Sequence, residues 1–180
     1  SSKVTVLGNH CSKFIDSPYS RTGILEGNPI HKDMIAASKM AHQKYIVNVI
    51  IDADKKVVHA VAGDAIEAHA AGCKFLQDYC QVVPKKAADI AISTNGGYPL
   101  DQNMYQSVKG MTAAEAAAKD DGILIMVSNC GDGHGGEGFY EALKNCSSPA
   151  DLMAEILKVP QDQTKPDQWE YQIQCRILMQ

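Results

Sequence analysis

The spacing of apolar and polar residues changes period along this chain, and each change predicts an element. Y-I-V-N-V-I-I-D at 45–52 is a β-rich run ending in the turn D-A-D-K-K, and V-V-H-A-V-A-G at 57–63 is its expected hairpin partner. From Ala65 to Gln81 the period becomes helical. Ile66, Ala70, Cys73, Leu76 and Cys80 fall on one stripe there, the expected buried face, while Phe75 and Tyr79 project to the other side. Upstream, H-K-D-M-I-A-A-S-K-M-A-H predicts a helix with Met34, Ile35, Ser38 and Ala41 near one face. V-T-V-L-G-N-H-C-S at 4–12 reads as a helix end or a short strand entering a polar loop. Residues 16–30, with two prolines and two glycines, read as irregular.

Val83-Pro84-Lys85-Lys86 marks a boundary, beyond which the pattern restarts as strand, helix, strand, helix. A-D-I-A-I-S-T (88–94) predicts a strand, Gln102 to Lys119 a helix, and G-I-L-I-M-V-S (122–128) a fully apolar strand. Another helix starts at Gly138 and runs to Asn145. Two apolar strands joined by a crossover helix imply parallel neighbours buried on both faces. Ser148-Pro149-Ala150-Asp151 caps a helix through Leu157, with proline suited to the first turn. The closing helix, Q-W-E-Y-Q-I-Q-C-R-I-L-M, places Trp169, Ile173 and Ile177 along one side. The fold class is therefore α/β, with a largely parallel sheet in the C-terminal strand–helix–strand–helix part.

Both strands of that part run into glycine-rich polar loops, S-T-N-G-G-Y-P and S-N-C-G-D-G-H-G-G-E-G. Parallel strands would bring both loops to one carboxyl edge, where open α/β sheets bind ligands. Glycine there lets backbone approach a ligand, and the amides of a following helix can hold an anion; equally, the glycines could only permit tight turns. Neither loop fits the dinucleotide fingerprint or the P-loop. Tyr105, Gln106 and Lys109 lie at i, i+1 and i+4 of the predicted helix, so a phenol, an amide and a cation sit close together. Such a group would suit a carboxylate-bearing substrate; a solvated helix face is the alternative. His10 and His134 could each face a ligand or serve their own loops. His31, His42, His59 and His69 have no partner at ligand spacing and read as surface or local capping residues.

Bulk properties narrow the classes. The 180 residues are 45% apolar, enough for a packed core, and the formal charge of −4 offers no basic footprint for nucleic acid or an anionic membrane. No apolar run approaches the roughly 20 residues that span a bilayer, and no secretory leader is evident, which points to the cytoplasm. The six cysteines are scattered without a C-x-x-C pair, so reduced, mostly buried thiols are expected and zinc is poorly supported.

The stretch N-G-G-Y-P-L-D-Q-N-x-Y-Q-x-V-K-G-M-T-A-A-E, followed by an apolar strand and C-x-D-G-H-G-G, closely resembles the C-terminal domain of the nickel-dependent lactate racemase family. The N-H pair at 9–10 and R-T-G-x-L-x-G-N-P at 21–29 are similar to the last part of that family's N-terminal domain. P-D-Q-W-E at 166–170 extends the likeness forward, so it covers nearly the whole chain. On this basis residues 1–83 are expected to be the end of an N-terminal, cofactor-bearing α/β domain, and residues 84–180 a C-terminal racemase domain.

The resemblance implies an isomerase that inverts the α-carbon of a 2-hydroxy acid such as lactate. A hydride passes reversibly to a nickel-pincer nucleotide, a pyridinium mononucleotide with two sulfur-bearing arms attached to a lysine. It implies His10 as a nickel ligand, Gln106 and Lys109 as substrate-side catalytic groups, Tyr105 beside them, and Trp169 lining the substrate pocket. Lys109 and Gln106 could pin the carboxylate, leaving the hard chemistry to the cofactor; nickel on sulfur and imidazole is chemically reasonable. The family's cofactor lysine, two acid/base histidines and a substrate arginine lie further upstream than the nine residues preceding His10. The expectation is a C-terminal fragment, inactive alone, whose partners are a small 2-hydroxy acid and the missing N-terminal domain. Two other readings stay open: a non-catalytic ligand-binding domain of the same fold, and a nucleotide-binding oxidoreductase using the glycine loops for a pyrophosphate.

Overall fold

The computed structural model describes residues 2–180. Its first elements are helices α1 (Lys3–Asn9), α2 (Ser12–Asp16) and α3 (Pro29–Met40), strands β1 (Ile46–Ile51) and β2 (Val57–Gly63), and helix α4 (Ala65–Cys80). Strand β3 (Ala88–Thr94), helix α5 (Met104–Glu115) and strand β4 (Ala118–Val127) follow. Helices α6 (Glu137–Asn145), α7 (Pro149–Ile156) and α8 (Gln168–Met179) end the chain. They form two compact units: Gly23–Val83 is one, and the residues up to Thr22 join Pro84–Gln180 in the other.

In the Gly23–Val83 unit, β1 and β2 pair antiparallel as the alternation predicts. Asp52 closes their turn, its Oδ1 accepting from the amides of Asp54 and Lys56 at 2.9 and 3.0 Å. Helix α4 packs on this hairpin through small residues rather than the predicted stripe. Ala65 and Ala68 are buried, a Cβ at Gly72 would lie 3.2 Å from Val61, and Phe75 stacks on His59 at 3.9 Å. Leu76 and Cys80 are exposed. Small side chains let a helix approach a sheet closely, and that gain outweighs the greater hydrophobicity of Leu76 at this contact.

In the other unit β3 and β4 pair in parallel, from Ile90 opposite Ile123 to Thr94 opposite Val127. The crossover helix α5 is shorter than predicted and β4 starts earlier. Ala117 accepts the Ala88 amide, Ala118 pairs with Ala88, and the register then slips before Ile90 so that Lys119–Gly122 are absorbed as a bulge with Asp121 at φ +58°. Helix α5 covers one sheet face. The opposite face carries exposed Ile90, Ile92, Ile123, Ile125 and Val127, so the expectation of burial on both faces is not met within this chain.

Val108, Phe139, Leu152, Met153, Ile156, Tyr171 and Cys175 form the core, contributed by α5, α6, α7 and α8. Helix α8 buries Gln168, Tyr171, Gln172 and Cys175, while the predicted Trp169 and Ile173 flank that face partly buried. Gln172 is buried because it has a partner: its Nε2 donates to Ser12 O at 2.9 Å, while Ser12 Oγ donates to Val159 O at 3.2 Å. Segment 4–12, ambiguous in sequence, is thus helical and docks against the last helix through α2. Arg176 on α8 grips Glu115 on α5 in a two-pronged pair at 2.8 and 2.7 Å, both side chains largely shielded.

Where α5 crosses the sheet, a Cβ on Gly110 would fall 2.5 Å from Asn95 Oδ1 and 2.6 Å from Met126 Cε. Met126 can move cheaply, but the Asn95 amide is held by two hydrogen bonds. Gly110→Ala is therefore expected to destabilise the chain by about 1–3 kcal/mol in urea melts, although alanine is the better helix former. A neutral or stabilising change would contradict this packing.

Candidate functional site

The position of α5 is set by the two glycine loops. After β3, the Asn95 side chain donates to Leu100 O at 2.7 Å and to Gln106 O at 2.6 Å, fastening the loop to the first turn of the helix. Asn103 caps that turn, its Oδ1 accepting from the Gln106 amide at 2.9 Å. The loop after β4 supplies the rest: the amides of Met104 and Tyr105 donate to the carbonyls of Gly133 and His134 at 3.0 and 3.1 Å. Ser107 N donates to Asn103 O, the first bond internal to the helix, so the open amides of Met104, Tyr105 and Gln106 are all occupied before it begins. Gly135, at φ +86°, makes the approach possible, since a Cβ there would sit 2.8 Å from Asn103 and 2.9 Å from the Tyr105 Cβ.

This overturns the expectation that amides after the glycine loops could hold an anion. At α6 the equivalent place is also filled from within the protein: Cβ atoms on Gly136 and Gly138 would lie 2.6 and 3.3 Å from Asp167 Oδ2. A carboxylate at a helix start is favourable, and one already stands there. The glycine loops are joints that fix a helix, and a pyrophosphate has no vacant amide cradle at α5.

From the fixed helix project the three residues singled out in the sequence. Lys109 donates to Gln106 Oε1 at 2.6 Å. Because an ammonium can only donate, the Gln106 oxygen must face it, and the amide nitrogen is left as a donor. Tyr105 packs edge-on against Phe139 at 5.8 Å, and the Trp169 side chain bears on its hydroxyl. Trp169 in turn meets His10, ring centroids 5.1 Å apart and planes at 61°. The structure thus joins His10, Trp169 and Tyr105 in one chain of contacts, with Gln106 and Lys109 on the same helix as Tyr105. His10 belongs to the same compact unit as these residues.

The His10 Nδ1 lies 3.1 Å from Val6 O, so that nitrogen carries the proton and donates. Nε2 then keeps the lone pair a metal requires. Among the described residues no group of three or more His, Cys, Asp or Glu could hold a metal ion. His10 can therefore offer one protein ligand to a metal whose other donors come from elsewhere. All six cysteines are free thiols; Cys11 and Cys175 are buried, and burial, with Cys146 nearby, pushes the Cys175 thiol up to about 11.

Glu170 was not singled out in the sequence, although it closes P-D-Q-W-E. Its side chain is buried at 4% exposure, and burial pushes its carboxyl up to about 7. Lys109 opposes that rise and Asp167 adds to it. Tyr105 is raised to about 12, first by burial, then by Glu170 and Asp167, with the Trp169 side chain opposing. Among the remaining histidines, His31 stacks on His69 at 5.5 Å and His134 on Tyr140 at 4.3 Å. The His134 Nδ1 is buried with no hydrogen-bond partner among the described residues, and its carbonyl serves Tyr105.

The description of the lactate racemase C-terminal domain matches residues 83–180. The chain belongs to the lactate racemase C-terminal domain family. It is 56% identical over 174 residues to a lactate racemase of Thermoanaerobacterium thermosaccharolyticum and 51% identical over 175 residues to one of Lactiplantibacillus plantarum. In both cases 97% of this chain and 41% of the relative are covered, so the chain spans about two fifths of the length of these curated relatives. The solved lactate racemase apoprotein from T. thermosaccharolyticum superposes with a TM-score of 0.94 at 56% identity, over 97% of this chain and 42% of that one. The chain is α/β: a parallel two-stranded sheet lies within the matched residues 83–180, and an antiparallel hairpin precedes them. Among its described residues no helix is long and apolar enough to cross a membrane.

The Glu170 shift sets a pH dependence. A carboxyl raised in the folded state contributes stability that is full below its unfolded value near 4.5 and is lost as pH rises through about 7. Glu170→Gln should therefore gain on the wild type between those pH values, by up to about 3 kcal/mol at pH 8 and little at pH 4. Urea melts at the two pH values check this, and a parallel offset at both would contradict the burial argument.

Proposed function

We propose that this chain is the substrate-facing C-terminal portion of a nickel-pincer-dependent, cytoplasmic racemase or epimerase that inverts the α-carbon of a 2-hydroxy acid, lactate being the default substrate. The observation that carries the reading is the Lys109–Gln106 pair beside Tyr105, in the same compact unit as the His10–Trp169 contact. With its oxygen taken by the ammonium, Gln106 presents N–H donors, and Lys109 keeps two more. A donor-only pair complements a carboxylate, which is acceptor-only, and holding that end fixes the α-carbon while its configuration changes. Trp169 would border the same space, its indole oriented by Tyr105.

His10 fits as the protein's ligand to nickel, because its proton is committed to Val6 O and the other ring nitrogen can ligate. When bound, the nickel-pincer nucleotide would supply the hydride acceptor. Residues 1–83 would continue the sequence of the domain that carries it, although the residues up to Thr22 pack with Pro84–Gln180, and the lysine and acid/base groups would come from sequence beyond the present chain. A coding sequence without an upstream lysine and further histidines would favour the non-catalytic ligand-binding alternative.

In a full-length, cofactor-loaded polypeptide containing this chain, Lys109→Ala and Gln106→Ala should each lower kcat/KM for a 2-hydroxy acid by about a hundredfold or more. Nickel content should be unchanged in both. His10→Ala should instead lower the nickel retained on purification, as read by metal analysis. Wild-type turnover in Lys109→Ala would sink the assignment.

A further inference from the structure

Arg21 is a partly buried cation to which the described residues give no ion-pair partner. It lies in the loop after α2 and borders a cavity of about 310 Å³, together with Ser20, Thr22, Thr112, Glu115 and Arg176. All of these belong to one compact unit. Arg21 Nη1 donates to Ser17 O and Ser20 O at 3.0 and 3.1 Å, while Arg176 commits Nε and one Nη2 hydrogen to Glu115. A guanidinium has five N–H donors, so three remain on each. The Ser20 and Thr112 hydroxyls already donate to Phe14 O and Lys109 O at 2.6 and 2.7 Å, which leaves the two guanidinium groups as the main donors on this wall.

The one carboxylate on this wall, Glu115, has both oxygens held by Arg176. Burial, and then the Arg176 charge, hold the Arg21 guanidinium below its ordinary value, while Glu115 and Asp16 oppose. Asp16 is exposed, where solvent and salt screen it. Two cations therefore face the cavity with one committed carboxylate between them. We propose that Arg21 and Arg176 form a binding site for the phosphate group of a small molecule. A carboxylate offers its oxygens in one plane and fills one fork, as Glu115 does with Arg176. A tetrahedral phosphate can meet donors arriving from two directions, and its charge offsets the surplus cation. Lys109 is not among the donors, so the site does not depend on that residue's role.

Inorganic phosphate is the probe, titrated by calorimetry in chloride buffer into a full-length, cofactor-free polypeptide containing this chain. Arg21→Gln should weaken phosphate binding by about tenfold or more. Arg21→Lys should recover only part of it, because an ammonium keeps the charge without the fork. Phosphate should also raise the melting temperature of the wild type and leave that of Arg21→Gln where it is. If Arg21→Gln does not fold, Arg21→Lys carries the test, and unweakened binding there overturns the site. A wild type that takes up no phosphate overturns it too, as does equal binding in Arg21→Gln. Binding lost in Lys109→Ala but kept in Arg21→Gln puts the ion at the substrate-side helix start and overturns it as well. Repeating the titration on cofactor-loaded polypeptide separates two sources: a phosphate borne by the nucleotide would exclude the added ion, and one borne by another ligand would not.

Discussion

The geometry of the site depends on how the start of α5 is held. The open amides at a helix start must find acceptors, and here those of Met104, Tyr105 and Gln106 find them in the Asn103 side chain and in the carbonyls of Gly133 and His134. Asn95 adds a second clamp from the other loop. The two loops reach the helix because β3 and β4 are parallel and in register at their ends, Thr94 beside Val127. Everything chemically distinctive about α5 lies within its first two turns, so the clamps fix the direction in which Tyr105, Gln106 and Lys109 leave the backbone.

The second support is the packing of α8 on α5. Arg176 and Glu115 join the far ends of the two helices, while Tyr105 and Trp169 join the near ends. Between them lies an apolar core that includes Val108 and Tyr171. A helix pair pinned at both ends resists sliding, which matters where an indole must keep its angle to an imidazole. Glu170 is buried on this helix while Trp169 beside it stays only partly so.

Much of this was legible in the sequence. The hairpin, the strand–helix–strand unit and the closing helix follow from period and turn residues, and the grouping of Tyr105, Gln106 and Lys109 follows from helical spacing. What was missed has consistent physical causes. The buried face of α4 is made of Ala65, Ala68 and Gly72, which rank low in hydrophobicity but permit close approach. Gln168 and Gln172 lie outside the Trp169, Ile173 and Ile177 side predicted for the closing helix, yet the core admits them; for Gln172, a backbone carbonyl far away in sequence provides the partner. The start of β4 was misplaced because alanines continue a helical pattern until a strand partner, Ala88, claims their backbone. The roles of the glycine loops as helix clamps, and the environment of Glu170, depend on contacts between segments that no local pattern encodes.

The bonds from Ser12 to Val159 and from Gln172 to Ser12 span 147 and 160 residues. Closing loops of that length costs entropy before any contact repays it. The whole Gly23–Val83 hairpin and its helix lie between these partners in sequence. Helix α2 has no docking surface until α8 is present, so the segment bearing His10 acquires a fixed place only when the two ends of its unit meet. The His10–Trp169 contact therefore reports closure of that unit rather than of any local turn.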